Sequence, residues 1–242
     1  MHEQAPMRYS LIIFDWDGTL MDSTGRIVSC LARAAADVAL PPLPPSQLQS
    51  IIGLGLYEAI RVLYPAADEV LVEAMRERYA VHFIAAEQQP SPLFPGALHT
   101  LEALRAQGLQ LAVATGKSRK GLDRVWRNTG LDRYFHTSRC ADETRSKPHP
   151  DMVHAILDEL ACPPARALVV GDTGFDMEMA ARAGVDRVGV VYGAHEVALL
   201  EPHGPLALLE RIDALLPWLG LPQAEPVGAV SEAQVSGIGD RV

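Results

Sequence analysis

Four short runs of apolar residues, separated by stretches with helical character, limit the fold of this chain more than any other feature. The runs cover residues 9–14, 109–114, 167–170 and 188–191, and each is nearly continuous. Such runs are typical of strands buried on both faces of a parallel sheet. Helix-like stretches lie among them at 95–107, 119–129, 151–161 and 176–183. The alternation predicts an α/β fold built on a doubly wound, mostly parallel sheet.

Residues 23–92 interrupt this alternation. Their apolar side chains recur at helical spacing over 27–38 and 70–83, and the prolines of 41–45 are expected to end the first of these helices. We therefore predict a helical insertion over 23–92 in a core made of 8–22 and 93–220. Beyond 221 the composition shifts to Pro, Gly, Ala, Ser and Glu without periodicity, which predicts a flexible tail over 221–242.

Composition excludes several classes of function. The chain has 242 residues, 48% of them hydrophobic, and a formal net charge of -9. This charge argues against a nucleic-acid partner, because such proteins need cations to displace phosphate counterions. The sequence lacks a run long and apolar enough for a membrane span and an apolar N-terminal signal region, so we expect a cytoplasmic protein. Its three cysteines form no C-x-x-C pair and are expected to be buried free thiols.

The strongest chemical signal is the segment Asp15-Trp-Asp-Gly-Thr-Leu20, which follows the first apolar run. Residues two apart in extended chain project to the same side, so Asp15 and Asp17 can face one site. Two close carboxylates repel each other unless a cation or a proton lies between them, and Mg²⁺ prefers oxygen ligands. Alone, this pair fits a solvent-exposed acidic turn as well as a metal site.

Three further groups follow later apolar runs or loops. Thr115-Gly116 offers a hydroxyl and a backbone amide that can bind phosphate, although a helix N-cap would look the same. Lys147 is one of only three lysines and precedes a predicted helix, where a solvated loop lysine would also fit. Asp172 and Asp176 follow the third run and also fit a capped helix start. Strand ends meet at one edge of a parallel sheet, so these groups are expected to converge.

Together, the four groups resemble the haloacid dehalogenase superfamily, and within it the phosphoglycolate phosphatase-like branch. Asp15-x-Asp17-Gly-Thr-Leu is similar to its first motif, Thr115 to its second, Lys147 to its third, and Gly171-Asp172-x-x-x-Asp176 to its fourth. The resemblance covers about residues 9–220. It implies a Rossmann-like catalytic core, an inserted α-helical cap domain of the C1 type over 23–92, and a Mg²⁺-dependent phosphoric monoester hydrolase.

The resemblance also implies roles for single residues. Asp15 would be the nucleophile that forms an aspartyl-phosphate. Asp17 would protonate the leaving alcohol and then accept a proton from water. Thr115, the Gly116 amide and Lys147 would bind the transferring phosphoryl group.

The same resemblance implies a Mg²⁺ ligand set. The ion would be held by the Asp15 carboxylate, the Asp17 backbone carbonyl and Asp172. Asp176 would support this shell through water or through Lys147 rather than bind the ion directly.

The substrate implied is a small phosphorylated metabolite, phosphoglycolate-like or a sugar phosphate, and the chain would be a monomer or homodimer. Three alternatives stay open: a sugar-phosphate mutase on the same fold, a receiver-like phospho-acceptor, and a non-catalytic binding protein. A phosphonate-cleaving relative would need a cap lysine, and this chain has no lysine before Lys117. A dehalogenase would not need Asp17.

Some positions depart from the branch. Trp16 replaces a smaller residue between the two aspartates and is expected to pack into the core. Gly116 stands where phosphoglycolate phosphatases often carry Asn, which leaves the substrate open. Candidate contacts to the leaving group from the insertion are Gly53, Leu54, Gly55, Arg61 and Arg26.

Overall fold

A single six-stranded sheet forms the centre of the molecule. The computed structural model describes residues 7–222. All strand pairs in it are parallel, and the strand order is β3-β2-β1-β4-β5-β6. The strands are β1 Leu11–Phe14, β2 Gln110–Thr115, β3 Thr137–Cys140, β4 Ala167–Gly171, β5 Asp186–Val190 and β6 Leu208–Leu209. The predicted α/β fold with a doubly wound parallel sheet is therefore confirmed.

Helices cover both faces of this sheet. They are α5 Ala97–Ala106, α6 Arg119–Thr129, α7 Asp151–Glu159, α8 Gly174–Arg182, α9 Val197–Leu200 and α10 Leu215–Trp218. Short 3-10 helices add Leu131–Tyr134, Pro164–Arg166, Glu201–His203 and Ile212–Ala214. The N-cap of the first core helix, α5, is Gly96, whose φ of 85° lies in the left-handed region that glycine adopts freely.

Alternate side chains along the central strands β1, β2 and β4 belong to two separate hydrophobic clusters. In β1, Ile12 and Phe14 join the cluster that holds residues of α5, α6 and α10. Leu11 and Ile13 join the cluster that holds residues of α7 and α8. Both faces of β1 are therefore buried, which explains its nearly continuous apolar sequence.

A helical insertion lies between β1 and β2. It consists of α1 Thr24–Asp37, α2 Pro45–Gln49, α3 Leu56–Leu63 and α4 Glu69–Ala86. These helices surround a hydrophobic cluster of their own, which includes Leu31, Ile60 and Met75. The division into a core (8–22 and 93–220) and a cap domain (23–92) stays a prediction.

The prediction that the prolines of 41–45 end the first helix of the insertion is wrong. Helix α1 already ends at Asp37, and Ala39 takes a left-handed φ of 57°. The prolines follow in an extended segment, and Pro45 opens α2 at its first position, where the missing amide hydrogen is not needed.

Two strands were not predicted, β3 and β6. Three of the four residues of strand β3 are polar, and β6 has only two residues. Trp16 is fully buried and packs edge-on against Trp126 and Phe135, as expected, with ring centroids 6.3 and 6.0 Å away.

Three other predictions concern the whole chain. The three cysteines are buried and free. Among residues 7–222, no helix has the length and apolar character that crossing a membrane requires. The predicted tail, from 223 onwards, lies outside the described residues.

Candidate active site

The predicted site residues converge because their strands are neighbours. Strand β1 lies between β2 and β4, and Phe14 pairs in register with Val113 and Val170. Asp15 follows β1 directly, Thr115 ends β2, and Asp172 follows β4. Their side chains therefore emerge at the same edge of the sheet, the edge at which parallel sheets bind ligands.

Asp15 is a buried carboxylate with one oxygen engaged and one without a partner. Its side chain is 2% exposed, and its backbone amide donates to the Val170 carbonyl at 2.9 Å. Oδ1 accepts a hydrogen bond of 2.5 Å from Lys147 Nζ, whereas Oδ2 is buried and has no hydrogen-bond partner among residues 7–222. Burial raises the pKa of Asp15 well above its ordinary value; Lys147 opposes this shift, and Asp176 and Asp172 add to it.

Lys147 is fully buried between two carboxylates. Its Nζ donates to Asp15 and, at 2.7 Å, to Asp176 Oδ1. Burial lowers the pKa of Lys147, but Asp15 and Asp176 outweigh this effect and raise it above the usual value. The ammonium is therefore held in its charged form beside Asp15. The peptide bond from Lys147 to Pro148 is cis.

Asp176 is anchored at the start of α8. Thr173 Oγ1 accepts from the Asp176 amide at 3.2 Å, and Asp176 Oδ2 accepts from the Thr173 amide at 3.1 Å, which forms a capping box. The other oxygen of Asp176 accepts from Lys147. Asp176 thus contacts Lys147, and its indirect role in holding the metal ion stays a prediction.

Asp172 is also fully buried and held by two donors. Thr19 Oγ1 donates to Oδ1 and the Ala194 amide donates to Oδ2, each at 2.7 Å. Burial, followed by the charge of Asp176, raises the pKa of Asp172 to about 7. These donors fix the orientation of a carboxylate that is costly to ionise in the absence of a nearby cation.

Three carboxylates of the predicted metal site lie close enough together to surround a divalent cation. Asp15, Asp172 and Asp176 each offer a carboxylate oxygen, and these atoms all lie within 4.8 Å of one another. The buried, unpartnered Oδ2 of Asp15 has free lone pairs. Three buried carboxylates beside one lysine leave an excess of negative charge, and an all-oxygen donor set suits Mg²⁺. The residues therefore fit the ion that the resemblance implies.

The Asp17 side chain points away from this carboxylate cluster, towards Lys117 and Ser23. Ser23 Oγ donates to Asp17 Oδ1 at 2.5 Å. Lys117 Nζ donates to both Asp17 oxygens, at 2.9 and 3.0 Å, and lies 4.6 Å from the centre of the Phe83 ring on α4. The prediction of Asp17 as a metal ligand concerns its backbone carbonyl and is not tested by this side-chain geometry.

Sequence reasoning missed Lys117. It follows Thr115-Gly116 directly at a strand exit, in a chain with three lysines, and this position was the available signal. Its contact with Asp17 joins the strand end to the helical insertion through Phe83.

Glycines permit two close approaches in the site. Gly18 has a φ of 90°, and a Cβ there would lie 2.2 Å from Asp172 Oδ2. A Cβ on Gly116 would lie 2.4 Å from the Leu54 carbonyl oxygen and 2.7 Å from that of Gly53. An Asn at position 116 could not fit this arrangement, so the glycine lets a loop of the insertion contact the strand end.

A cavity of about 510 Å³ joins the strand ends to the insertion. Asp15, Asp17, Thr115 and Gly116 all line it. The predicted contacts Gly53, Leu54 and Gly55 line it as well, and the Gly55 amide donates to Ser146 Oγ at 2.7 Å.

The two candidate arginines bond elsewhere. Arg61 donates to the Ala67 carbonyl at 2.7 Å, and Arg26 donates to the Gln89 carbonyl. Within the part of the chain that the structure describes, neither arginine is among the residues that line the cavity.

Comparison with known proteins gives consistent results. The family model described as haloacid dehalogenase-like hydrolase matches residues 12–190. A protein named probable phosphatase IndB from Dickeya dadantii is 34% identical over 85% of this chain and 91% of its own length. A phosphoglycolate phosphatase from Agrobacterium fabrum is 32% identical over 86% of this chain and 91% of its own.

Two solved structures are similar to this chain over most of their length. A hydrolase from Pseudomonas syringae has a TM-score of 0.80 and 26% identity, covering 87% of this chain and 98% of its own. A predicted phosphoglycolate phosphatase from Haemophilus somnus has a TM-score of 0.77 and 27% identity, covering 87% and 98% of the two chains. The chain belongs to the haloacid dehalogenase-like hydrolase family, and the predicted family and the predicted enzyme class, a phosphatase of this family, are confirmed.

Proposed function

We propose that this haloacid dehalogenase-like hydrolase cleaves phosphomonoesters of small metabolites with the help of Mg²⁺, through an aspartyl-phosphate on Asp15. The observation that carries the proposal is the state of the Asp15 carboxylate. Lys147 fixes one of its oxygens through a hydrogen bond. The other oxygen is buried and has no hydrogen-bond partner within residues 7–222, and Asp15 lines the cavity. A carboxylate with this arrangement is positioned as a nucleophile rather than as a structural ion pair.

In the first half-reaction, an oxygen of Asp15 attacks phosphorus and the bond from phosphorus to the ester oxygen breaks. Asp17, two residues further on and on the same cavity wall, gives its proton to the leaving oxygen, so that the alcohol departs neutral. Ser23 and Lys117 fix the orientation of the Asp17 carboxyl group through the hydrogen bonds described above.

In the second half-reaction, Asp17 accepts a proton from a water molecule, whose oxygen attacks the phosphorus atom. The bond from phosphorus to the Asp15 oxygen breaks, inorganic phosphate forms and the Asp15 carboxylate is regenerated. The same residue thus acts as acid and then as base, which returns the enzyme to its starting protonation state.

The phosphoryl oxygens would be bound by the groups at the neighbouring strand end. Thr115 and the Gly116 amide lie on the cavity wall beside Asp15, and the Lys147 ammonium adds a positive charge from behind. Donors fixed in advance stabilise the charge that develops on a transferring phosphoryl group.

Mg²⁺ would be held by Asp15, the Asp17 carbonyl and Asp172, with Asp176 supporting Lys147. When bound, the ion would neutralise the repulsion between the anionic nucleophile and the anionic phosphate. The raised pKa values of Asp15 and Asp172 support this proposal, because a cation would favour the ionised carboxylates that the chemistry needs.

The helical insertion, residues 23–92, would act as a cap that excludes water and contacts the leaving group. Its loop 53–55 already lies against Gly116 and Ser146 of the core. The relatives named phosphatase and phosphoglycolate phosphatase support a small phosphorylated metabolite as the substrate.

The proposal is tested by measuring phosphate release from a panel of phosphorylated metabolites with Mg²⁺ and with EDTA. We expect Asp15→Asn, which keeps the shape of the side chain, to lose activity by about 10⁴-fold or more. Asp158→Asn, an exposed position on α7, is the matched control and keeps wild-type activity. Equal phosphate release by wild type and Asp15→Asn would refute the mechanism. Isomerisation of a sugar phosphate without phosphate release would identify a mutase instead.

A further inference from the structure

The cavity above Asp15 is much larger than the smallest substrates of the proposed reaction require. Its volume of about 510 Å³ lies within the range of pockets that hold ring-containing organic molecules. At roughly 30 Å³ for each molecule of liquid water, it has room for about 17 waters, whereas 2-phosphoglycolate has about nine non-hydrogen atoms. Much of the space would remain empty around so short a substrate.

The wall on the side of the insertion is mainly apolar. Helix α4 contributes Tyr79 and Phe83, whose rings stack with centroids 5.5 Å apart. Ile27 of α1 and Leu54 of the loop also line the cavity, as does Ile84, which is 50% exposed. Because Phe83 contacts the lysine that holds Asp17, this aromatic wall borders the position of the leaving oxygen. An apolar surface kept open beside a reacting group is suited to an apolar ligand.

The charges on this wall disfavour an anionic leaving group. Within residues 7–222, Arg76 is the one arginine or lysine that the insertion contributes to the cavity, and its Nη1 is 2.6 Å from Glu73 Oε2. Glu58 and Glu77 line the same wall. A carboxylate such as that of glycolate would meet Glu58 and Glu77, and an arginine whose charge is offset by Glu73.

The cations that line the cavity outside the insertion do not supply a partner for such a carboxylate either. Lys117 is bonded to Asp17, and Arg124 is paired with Glu87. Lys120 also lines the cavity, but its side chain belongs to an exposed residue, and exposed charge pairs contribute little.

We infer that the preferred substrates are phosphomonoesters of bulky, uncharged alcohols that carry a ring, which packs against Tyr79 and Phe83. This inference rests on the proposed phosphatase activity and specifies its substrate class. Short hydroxy-acid phosphates such as 2-phosphoglycolate are then poor substrates, because they leave the apolar wall exposed and bring a carboxylate to an acidic surface.

The test compares substrates with similar leaving groups. Ethyl phosphate and 2-phenylethyl phosphate both release an unactivated primary alcohol, so a difference in kcat/KM reports on binding of the ring. For wild-type protein with Mg²⁺, we expect kcat/KM for 2-phenylethyl phosphate to exceed that for ethyl phosphate and for 2-phosphoglycolate by roughly 10- to 100-fold, as burial of a phenyl group allows.

A pair of variants on α4 makes the test specific to the cavity. Ala80→Trp places a large side chain at a cavity-lining position, and we expect it to lower kcat/KM for 2-phenylethyl phosphate by about tenfold while ethyl phosphate changes less than about twofold. Val81→Trp is the control, because Val81 is exposed on the same helix and lies outside the cavity lining; both substrates should keep their wild-type values.

The outcomes separate the two proposals. Turnover in which 2-phosphoglycolate is preferred, or in which Ala80→Trp affects both alkyl phosphates equally, overturns the inference and leaves the phosphatase intact. Absence of phosphate release from every phosphomonoester, with the unfolding transition of the protein unchanged, overturns the proposed function.

Discussion

Replacing Lys147 by methionine removes the single cation from the buried carboxylate cluster. In the native protein, Lys147 Nζ donates to Asp15 at 2.5 Å and to Asp176 at 2.7 Å, and all three side chains are 2% exposed or less. Methionine fills most of the same volume but leaves both carboxylates without a counter-charge. Removing one partner of a buried ion pair costs about 3–5 kcal/mol. For a chain of this length, such a loss lowers the melting temperature by about 6–20 °C.

The assay is urea unfolding followed by far-UV circular dichroism at pH 7.5 in EDTA, so that bound metal does not mask the effect. Lys120→Met is the matched control for stability, because Lys120 is exposed, and we expect it to change the free energy of unfolding by less than about 0.5 kcal/mol. A loss below about 1 kcal/mol for Lys147→Met would show that the buried ion pairs do not form as described.

Three further predictions concern the same region. Gly18→Ala should lower stability by about 2 kcal/mol or more, measured by thermal unfolding, because its φ of 90° and the 2.2 Å distance from the new Cβ to Asp172 both oppose a side chain. In EDTA, the free energy of unfolding should fall by up to about 4 kcal/mol between about pH 4 and pH 7, because the pKa of Asp172 is raised from 3.8 to about 7 in the folded protein, so that the folded state binds the proton more tightly. Mg²⁺ should abolish this slope in urea titrations across the same range. Trp16→Ala should cost about 3–5 kcal/mol in the same unfolding assay, because it opens a cavity beside Trp126 and Phe135.

Most of the sheet could be predicted because its central strands are buried on both faces. The apolar run that became β1 supplies both hydrophobic clusters, so burial leaves a direct trace in its sequence. Strand β3 leaves no such trace: it pairs with β2 alone at the edge of the sheet, and alternate residues of Thr137–Cys140 are only half-buried. In the sequence alone, its polar residues are typical of a loop, and the strand forms through its pairing with β2.

Most of the site could be predicted from the sequence because the strand order brings its residues together. Asp15, Thr115 and Asp172 each follow or end a central strand, and neighbouring parallel strands bring such positions together whatever the loops do. Lys147 is different, since it reaches Asp15 from a loop between β3 and α7. Its place came from the resemblance to a family, and strand order alone could not have supplied it.

The contacts of Asp17 could not be predicted from the sequence. Its partner Lys117 has a long, flexible side chain, and in the structure its Nζ lies 2.9 Å from Asp17 Oδ1 and 4.6 Å from the centre of the Phe83 ring of the insertion. A contact that depends on three segments far apart in sequence leaves no local pattern. The extent of the apolar cavity was missed for the same reason, because its walls come from α1, α3, α4, α6 and the residues at the ends of three strands.

In the proposed reaction, the phosphoryl group passes through a covalent intermediate on Asp15. The most direct measurement is acid quench of the protein within milliseconds of mixing with Mg²⁺ and a phosphomonoester, followed by peptide mass spectrometry. We expect a mass increase of one phosphoryl group on the peptide that contains Asp15, and no such increase in Asp15→Asn. Turnover at an unchanged rate with the phosphoryl group on another residue, or with Asp15→Asn still active, would contradict it.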